Sequence, residues 1–488
     1  MRAANGGGEA VLSIYGVLVI VIGLLVLYSS FRGAIYAMAA FSLFAMTLAL
    51  NLGGVGIMPA QLFLIFFALR AFNLVGGKGI GDTLSMEKPG FWLLCTCVWG
   101  VAGAVILPRL LQGSTLVFPV DRSIPGVAML QPLGPVSGNL SQAIYLIGDL
   151  VVYACMYAFL KYRGAYRVLA NGIFLLTILD VSAGVIDFVT HAAGLDVMSV
   201  IKTAQYADLS GEELGGLVRI TGTFAETSAF SSFTLPLFVF CLNLWLLGYR
   251  AKLSGALAIA TGTLLLMSTS GTAYVGLAIY MCIQVFSRPG RVAPGAVERQ
   301  QRMWIIAACA GVLGTLYVIL FMPSVAKALT DFVDATVMSK AGSSSGIERM
   351  SWNTQGVTNF LETYGIGVGL GSIRASSFLV VVLANLGAVG VICYGMFIGK
   401  ALLSPVSAHY PLTERAVCHA ARHGMLATLI VASLAAGVFE LGAPFYLFAA
   451  AASALSQRVP RRAPRRQEWA ARRIQGSVSG VVSRIREP

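Results

Sequence analysis

Read for hydrophobic and polar positions alone, the chain is a succession of long apolar stretches separated by short polar breaks, starting at Val11 and continuing almost to Leu455. Stretches of about 18 or more apolar residues match the length needed to cross a hydrocarbon core of roughly 30 Å as a helix. The pattern predicts spans over Val11–Tyr28, Ala34–Leu52, Met58–Val75, Phe91–Leu111, Ala143–Leu160, Val168–Val189 and Phe230–Leu247. It continues with Leu253–Met267, Ala273–Val285, Trp304–Met322, Phe378–Leu402, Met425–Val438 and Leu441–Leu455. The fold class expected is an all-α polytopic membrane protein with about 12–13 transmembrane helices. A β-barrel would show short alternating segments and far more polar turns. The short pair around Leu253–Val285 reads as two tilted pieces hinged at Ser268–Thr272.

Composition agrees: of 488 residues, 57% are hydrophobic and 11% charged, against roughly 25% charged in soluble domains. The net charge of +13 is not a nucleic-acid footprint, because the tail from Arg458 to Pro488 alone carries nine Arg and two Glu. A basic segment after the last span reads as a cytoplasmic anchor to anionic lipid. The expected division is therefore a membrane domain over residues 1–456 and a basic cytoplasmic tail over 457–488. Lys161/Arg163/Arg167, Arg250/Lys252, Arg288/Arg291/Arg299/Arg302 and Arg415/Arg422 all fall on one side of these spans, the cytoplasmic side by the positive-inside rule. Three long connections, 112–142, 194–226 and 323–375, share the other side. Counting back from the tail puts the N-terminus outside, so an early span that is re-entrant or absent is expected. Val11–Tyr28 lacks the features of a cleaved signal and reads as a retained span.

Seven of the eight cysteines, Cys95, Cys97, Cys155, Cys241, Cys282, Cys309 and Cys393, fall inside spans; Cys418 is the eighth. Buried free thiols are expected, and Cys95-Thr-Cys97 is not a zinc-type pair. His419 and His423, placed in the predicted cytoplasmic loop with His409, have metal-pair spacing beside Cys418, but without further ligands no metal site is assigned. His191 reads as a lone boundary residue. No nucleotide-binding motif or Mg²⁺-type acidic cluster occurs, and no cofactor is expected.

Candidate chemistry gathers in the outer loops. In the third, Val325–Met338 has the spacing of an interfacial helix. Ser345 and Glu348 match a capping box that opens a helix ending near Tyr364. Arg349 in its first turn opposes the macrodipole, and a bound diphosphate would reverse that sign; a snorkelling Arg, or one paired with Glu348 or Glu362, is the structural alternative. The run Gly365-Ile-Gly-Val-Gly-Leu-Gly371 permits close backbone approach, either to an oxyanion cradled by amides or to a neighbouring helix. Ser372 and Arg374 follow at the outer boundary, where Arg374 reaches a lipid phosphate or simply anchors the span. In the second loop, Arg219-Ile-Thr-Gly-Thr-Phe-Ala-Glu226 offers an Arg and a carboxylate. At a membrane edge Glu226 loses water and its pKa rises, which suits a general base; an Arg219–Glu226 ion pair is the alternative. Glu440 is a lesser base candidate. Asp149, Asp180 and Asp187 lie inside spans with Arg70 as a possible partner, and mark either an ion pathway or structural pairing.

These segments resemble the bacterial O-antigen polymerase and ligase superfamily, and within it the Wzy-type polysaccharide polymerases. The resemblance covers about Arg219–Gly390. It rests on the Arg219–Glu226 segment, on the turn at Ser268-Thr-Ser-Gly271, and on Arg349 with Trp352 followed after fifteen residues by the Gly365–Gly371 run. It implies a GT-C-type glycosyltransferase of the bacterial inner membrane, independent of metal, with its active face periplasmic. Its partner would be undecaprenyl-diphosphate-linked oligosaccharide, with membrane lipids, a chain-length regulator and a flippase as further associates. Arg349 and Arg219 would hold the diphosphates, Arg374 with Gly365, Gly367, Gly369, Gly371 and Ser372 would contact substrate, and Glu226 would activate the acceptor hydroxyl. O-antigen ligases carry a histidine near the end of the large loop, where this chain has Arg374 and Ser376, which favours polymerase. Ligase is the alternative within the family; a lipid-linked oligosaccharide flippase is the alternative of another class.

Overall fold

A computed structural model describes residues 11–52, 55–120, 129–204, 213–214, 217–321 and 344–455. The predicted interfacial helix over 325–338 and the basic tail lie outside the described residues. Within them the protein is a helical bundle. Its elements are β1 (Val11–Leu12), α1 (Ile14–Tyr28), α2 (Phe31–Phe41), β2 (Leu50–Leu52), β3 (Val55–Ile57), α3 (Pro59–Gly81), α4 (Pro89–Leu110), β4 (Leu116–Val117) and β5 (Gln131–Pro132). Next come α5 (Ser137–Phe159), α6 (Ala165–Ala192), the short β6 (Glu213–Leu214) and β7 (Leu217–Val218), α7 (Thr227–Leu246), α8 (Ala251–Met267) and α9 (Gly271–Phe286). The last five are α10 (Ala296–Phe321), α11 (Ser344–Glu362), α12 (Phe378–Leu403), α13 (Leu412–Ala435) and α14 (Ala443–Ala454).

By length and composition, seven of these helical stretches can cross a membrane: Pro59–Leu84, α4, α5, α6, α7, α12 and α13. The protein is thus an all-α polytopic membrane protein. Each predicted span contains a helix, but some boundaries move. The stretch Ala34–Leu52 is helical only to Phe41, because the chain then turns and Leu50–Leu52 enters an antiparallel sheet between β1 and β3. In the opposite sense, α13 starts at Leu412, so His419 and His423 sit on a helix rather than in a loop. Tyr280 Oη lies 2.9 Å from His423 Nδ1. The eleven residues of α2 are too few to cross a hydrocarbon core as a helix, so the second predicted span does not cross as one helix, in line with the expectation of a re-entrant or absent early span. Ser13 caps α1 through Gly16 N at 3.1 Å, and α2 follows directly.

Polar contacts sort the connections onto two faces. On one, Asp82 bridges Lys88 and Lys161 at 2.7 Å each, Arg415 donates to Arg291 O, and Arg422 to Ser404 O. On the other, Thr47 donates to Ile201 O and Tyr15 to Val200 O, while Thr223 donates to Leu43 O and Arg374 N to Phe118 O. The three long connections meet on this second face, together with the β1–β3 sheet; we call it the loop face and its opposite the basic face.

Lipid-like apolarity cannot hold helices to one another, so shape and polar contacts must. The centre is aromatic and small: Tyr153, Tyr166, Phe240, Phe397 and Tyr446 are fully buried, and α14 is buried on every side with a run of four alanines, Ala449–Ala452. All eight cysteines are free.

Candidate functional site

The site on the loop face is built on α11 and the segment after it. Asn359 of α11 donates to Thr115 Oγ1 at 2.7 Å and to Leu116 O at 2.6 Å, and Gln355 donates to Leu116 O at 2.7 Å. Thr115 in turn donates to Glu362. These bonds fix α11 against the β4–β5 hairpin. The helix begins at Ser344, before the expected cap, so Arg349 stands in its second turn rather than its first.

Beyond α11 the glycine run wedges into the bundle. Gly365, Gly367, Gly369 and Gly371 all have positive φ. A Cβ on Gly369 would lie 2.6 Å from Gly103 O of α4, and one on Gly371 would lie 2.2 Å from Gly138 O of α5. Only glycine permits that approach in that conformation. The amides of the run's first five residues are turned to acceptors within the fold. Gly365 N donates to Phe360 O, Gly367 N to Thr363 Oγ1, Val368 N to Ala384 O and Gly369 N to Asn385 O. Ser372 N and Ile373 N share Asn385 Oδ1, and the Ser372 hydroxyl bonds Val368 O. An amide already bound within the fold is not available to an oxyanion, so Gly365, Gly367, Val368 and Gly369 serve the packing alternative of the sequence reading. The product of the run is placement: it delivers Arg374 to the loop face.

The Arg374 guanidinium lies over the Trp352 ring, 4.4 Å from the centroid. Such stacking contributes about 0.5–2 kcal/mol and holds the planar group in one orientation. Burial pulls the pKa of Arg374 below the ordinary guanidinium value, and Glu348 and Glu226 counter that shift. Two separate connections, α11 with its sequel and the loop leading into α7, thus come close enough for the charges of Arg374 and Glu226 to interact. Glu226 is the N-cap residue of α7 and accepts a hydrogen bond from Ser228. Asn353 Oδ1 accepts from Ser376 N at 2.8 Å and Ser377 N at 3.1 Å, closing the ring of contacts beside Trp352. Arg349 is one helical turn from Trp352, partly buried, and among the described residues has no carboxylate partner. A cleft of about 430 Å³ opens alongside, lined by Phe118, Leu130, Ile347 and Met350 with Ser351, Thr354 and Gln355. An apolar slot beside cationic side chains suits an amphiphile with an anionic head.

Arg219 enters differently. It heads the segment that Asp187 of α6 anchors: Asp187 Oδ2 accepts from Thr221 N at 2.7 Å, Gly222 N at 2.8 Å and Thr221 Oγ1 at 3.2 Å. Lys202 Nζ also reaches Thr221 Oγ1, at 2.8 Å, so Arg219 stands toward the α6 side of the loop face. His191 is not a lone residue. Its Nδ1 lies 3.0 Å from Asp187 Oδ1, an i,i+4 pair whose acid is fully buried. That spacing is visible in the sequence.

The intramembrane acids divide between two settings. Asp180 accepts from Thr234 Oγ1 at 3.0 Å, while Arg70 donates to Leu27 O at 2.8 Å, so the expected Arg70 partnership is replaced by a backbone contact. Glu440, in the connection between α13 and α14, lies close enough to Asp149 for their charges to interact, beside the Tyr394–Tyr446 hydroxyl pair at 3.2 Å. Burial pushes the Glu440 carboxyl up to about 7, and Gly442 N, 2.9 Å from Oε1, works against the shift. Phe439 next to it packs on Phe378 with ring centroids 5.5 Å apart. This buried pair thus lies beneath the start of α12, four residues from Arg374. Among the described residues no group of three or more His, Cys, Asp or Glu could hold a metal ion. No protein-family model, curated protein or solved structure matches the chain.

Proposed function

We propose that the protein is a polysaccharide polymerase of the bacterial inner membrane. It would transfer a growing glycan from undecaprenyl diphosphate to a lipid-linked repeat unit on the periplasmic side, taken as the loop face. On this reading about 12–13 helices cross the bilayer in a GT-C-like arrangement. The observation that carries it is that Arg374, stacked on Trp352, lies close enough to Glu226 of a different connection for their charges to interact, beside an apolar cleft.

The chemistry follows from those groups. The acceptor hydroxyl oxygen forms a bond to the anomeric carbon as the bond from that carbon to the diphosphate oxygen breaks. The hydroxyl proton goes to Glu226, and the bonding pair leaves on the diphosphate. Charge therefore develops on the leaving phosphate, where Arg374, Arg349 and Arg219 supply fixed positive charge at the membrane rim; preorganised charge of this kind is a principal source of catalysis. The cleft at Ile347 and Met350 accepts the isoprenoid chain, which keeps the diphosphate at the depth of Arg374.

Extension of defined lipid-linked repeat units by the purified protein in EDTA tests the reading directly. Polymer is expected from the wild type and not from Arg374→Ala. Single extended units transferred to a lipid A core acceptor, without polymer, would mark a ligase instead. Repeat units moved across a vesicle membrane without bond formation would mark a flippase.

A further inference from the structure

The basic face holds a cavity that the proposed transfer does not use. It measures about 350 Å³ and lies between the start of α6, the α7–α8 turn and the first turns of α13. Arg167 and Arg250 line it, with Tyr249 and Thr413 between them, and none of its lining residues is acidic. Among the described residues neither guanidinium has a carboxylate partner.

Three features make this more than a surface with positive charge. The Tyr249 hydroxyl is buried and has no hydrogen-bond partner among the described residues, yet it lies close enough to Arg167 and Arg250 to feel both charges. A buried donor flanked by two cations lacks an anionic acceptor. Second, α13 is a 24-residue helix whose N-cap, Pro411, supplies no side-chain cap, and its Leu412 and Thr413 border the cavity. Its first-turn amides add donors and positive potential. Third, Arg250, which has a Cβ, is held in the left-handed region at φ +46°, after Gly248, which adopts φ +76° freely. Behind it Arg299 Nη1 lies 3.5 Å from the carbonyls of Trp245 and Leu246, so a third cation backs the turn. Glu414, the carboxylate in the first turn of α13, does not line the cavity.

We propose that this cavity is a phosphate-binding site, in which Arg167, Arg250, the Tyr249 hydroxyl and the first turn of α13 hold a phosphate oxyanion. The same chemistry serves an anionic phospholipid headgroup, for which Leu247 and Leu412 on the wall offer an apolar edge, or a free phosphate.

The full chain in phosphatidylcholine nanodiscs, with and without phosphatidylglycerol, tests the proposal and separates the sources. Native mass spectrometry should find phosphatidylglycerol retained by the wild type, and its melting temperature should be higher in the anionic discs. Arg167→Gln with Arg250→Gln should abolish both effects, whereas Arg288→Gln, a basic-face arginine that does not line the cavity, should leave them intact. Tyr249→Phe, which keeps the ring, should bind about tenfold more weakly, the effect of one hydrogen bond to a charged group. If millimolar inorganic phosphate stabilises the wild type in phosphatidylcholine discs and phosphatidylglycerol adds nothing, the site takes the free ion. A wild type indifferent to both anions overturns the proposal. So does an Arg288→Gln variant as impaired as the double variant, which would reduce the cavity to general surface charge.

Discussion

Substituting Gly387 by Ala should do more damage than its chemistry suggests. Gly387 kinks α12 with φ +62° and ψ −167°, a backbone region essentially confined to glycine. Holding alanine there costs about 1–3 kcal/mol. Its Cβ would also stand 2.1 Å from Ile366 O and 2.5 Å from Gly365 O, with backbone on both sides and no flexible side chain to yield. Relief requires the glycine run to back away from α12, at the expense of the bonds from Val368 N to Ala384 O, Gly369 N to Asn385 O and Ala388 N to Gly365 O. Losing two of these adds about 1–3 kcal/mol, for a total near 2–6 kcal/mol. In a thermal melt of a 488-residue chain that is a fall on the order of 2–6 °C. The buried free thiols Cys97, Cys155, Cys241 and Cys418 report unfolding through a thiol-reactive dye, compared at one scan rate because membrane proteins seldom unfold reversibly. Gly395→Ala on the same helix is the control: a Cβ there meets nothing within 4 Å, and melting should stay within about 1 °C of wild type. Equal melting of the two variants would refute the clamp.

Arg374→Lys keeps the charge but loses the flat stack on Trp352, and polymer yield should drop about tenfold or more; an unchanged yield would show that orientation does not matter. Glu226→Gln retains an acceptor for Ser228, so the protein should melt normally while elongation is lost; normal elongation would remove Glu226 as the proton acceptor. Asp187→Ala leaves Thr221 N and Gly222 N without their acceptor and should lower stability by about 3–5 kcal/mol, with Asp187→Asn much milder, as read by the same dye melt. Because burial raises the Glu440 carboxyl to about 7, its protonated form is favoured in the fold. Its contribution is complete below the ordinary carboxylate range and is lost as pH rises toward about 7, so wild type should melt lower at neutral pH than at mildly acidic pH; Glu440→Gln should flatten that slope, and an unchanged slope would assign it elsewhere.

The helices were legible because hydropathy is a local property: every apolar stretch proposed contains one, and the break at Ser268–Gly271 was marked by its small polar residues. Boundaries went wrong where polarity and helix coincide. Thr413–His423 reads as a loop because it is charged, yet it forms the first turns of α13. The glycine run kept two meanings until its amides could be followed to Ala384, Asn385 and Phe360, and nothing in its spacing chooses between a ligand and a neighbouring helix. Trp352 carried a signal only through its place beside Arg349; that Arg374 stacks on it depends on the fold of the intervening wedge. His191 was the avoidable omission, since Asp187 four residues earlier already specified its partner.

The wedge also constrains how the chain can be made. Trp99 Nε1 reaches Leu386 O, Asn139 reaches Leu370 O, and Thr115 reaches Glu362, across 287, 231 and 247 residues of sequence. A ribosome that has threaded α4 and α5 into the bilayer must translate more than two hundred further residues before their inner surfaces meet what covers them. Until then Gly103 and Gly138 face lipid or a chaperone, and closure of the bundle is a late, post-insertion event. Nascent chains arrested before Phe360 should therefore be cleared by membrane quality control, while those arrested after Leu455, which include the fully buried α14, persist.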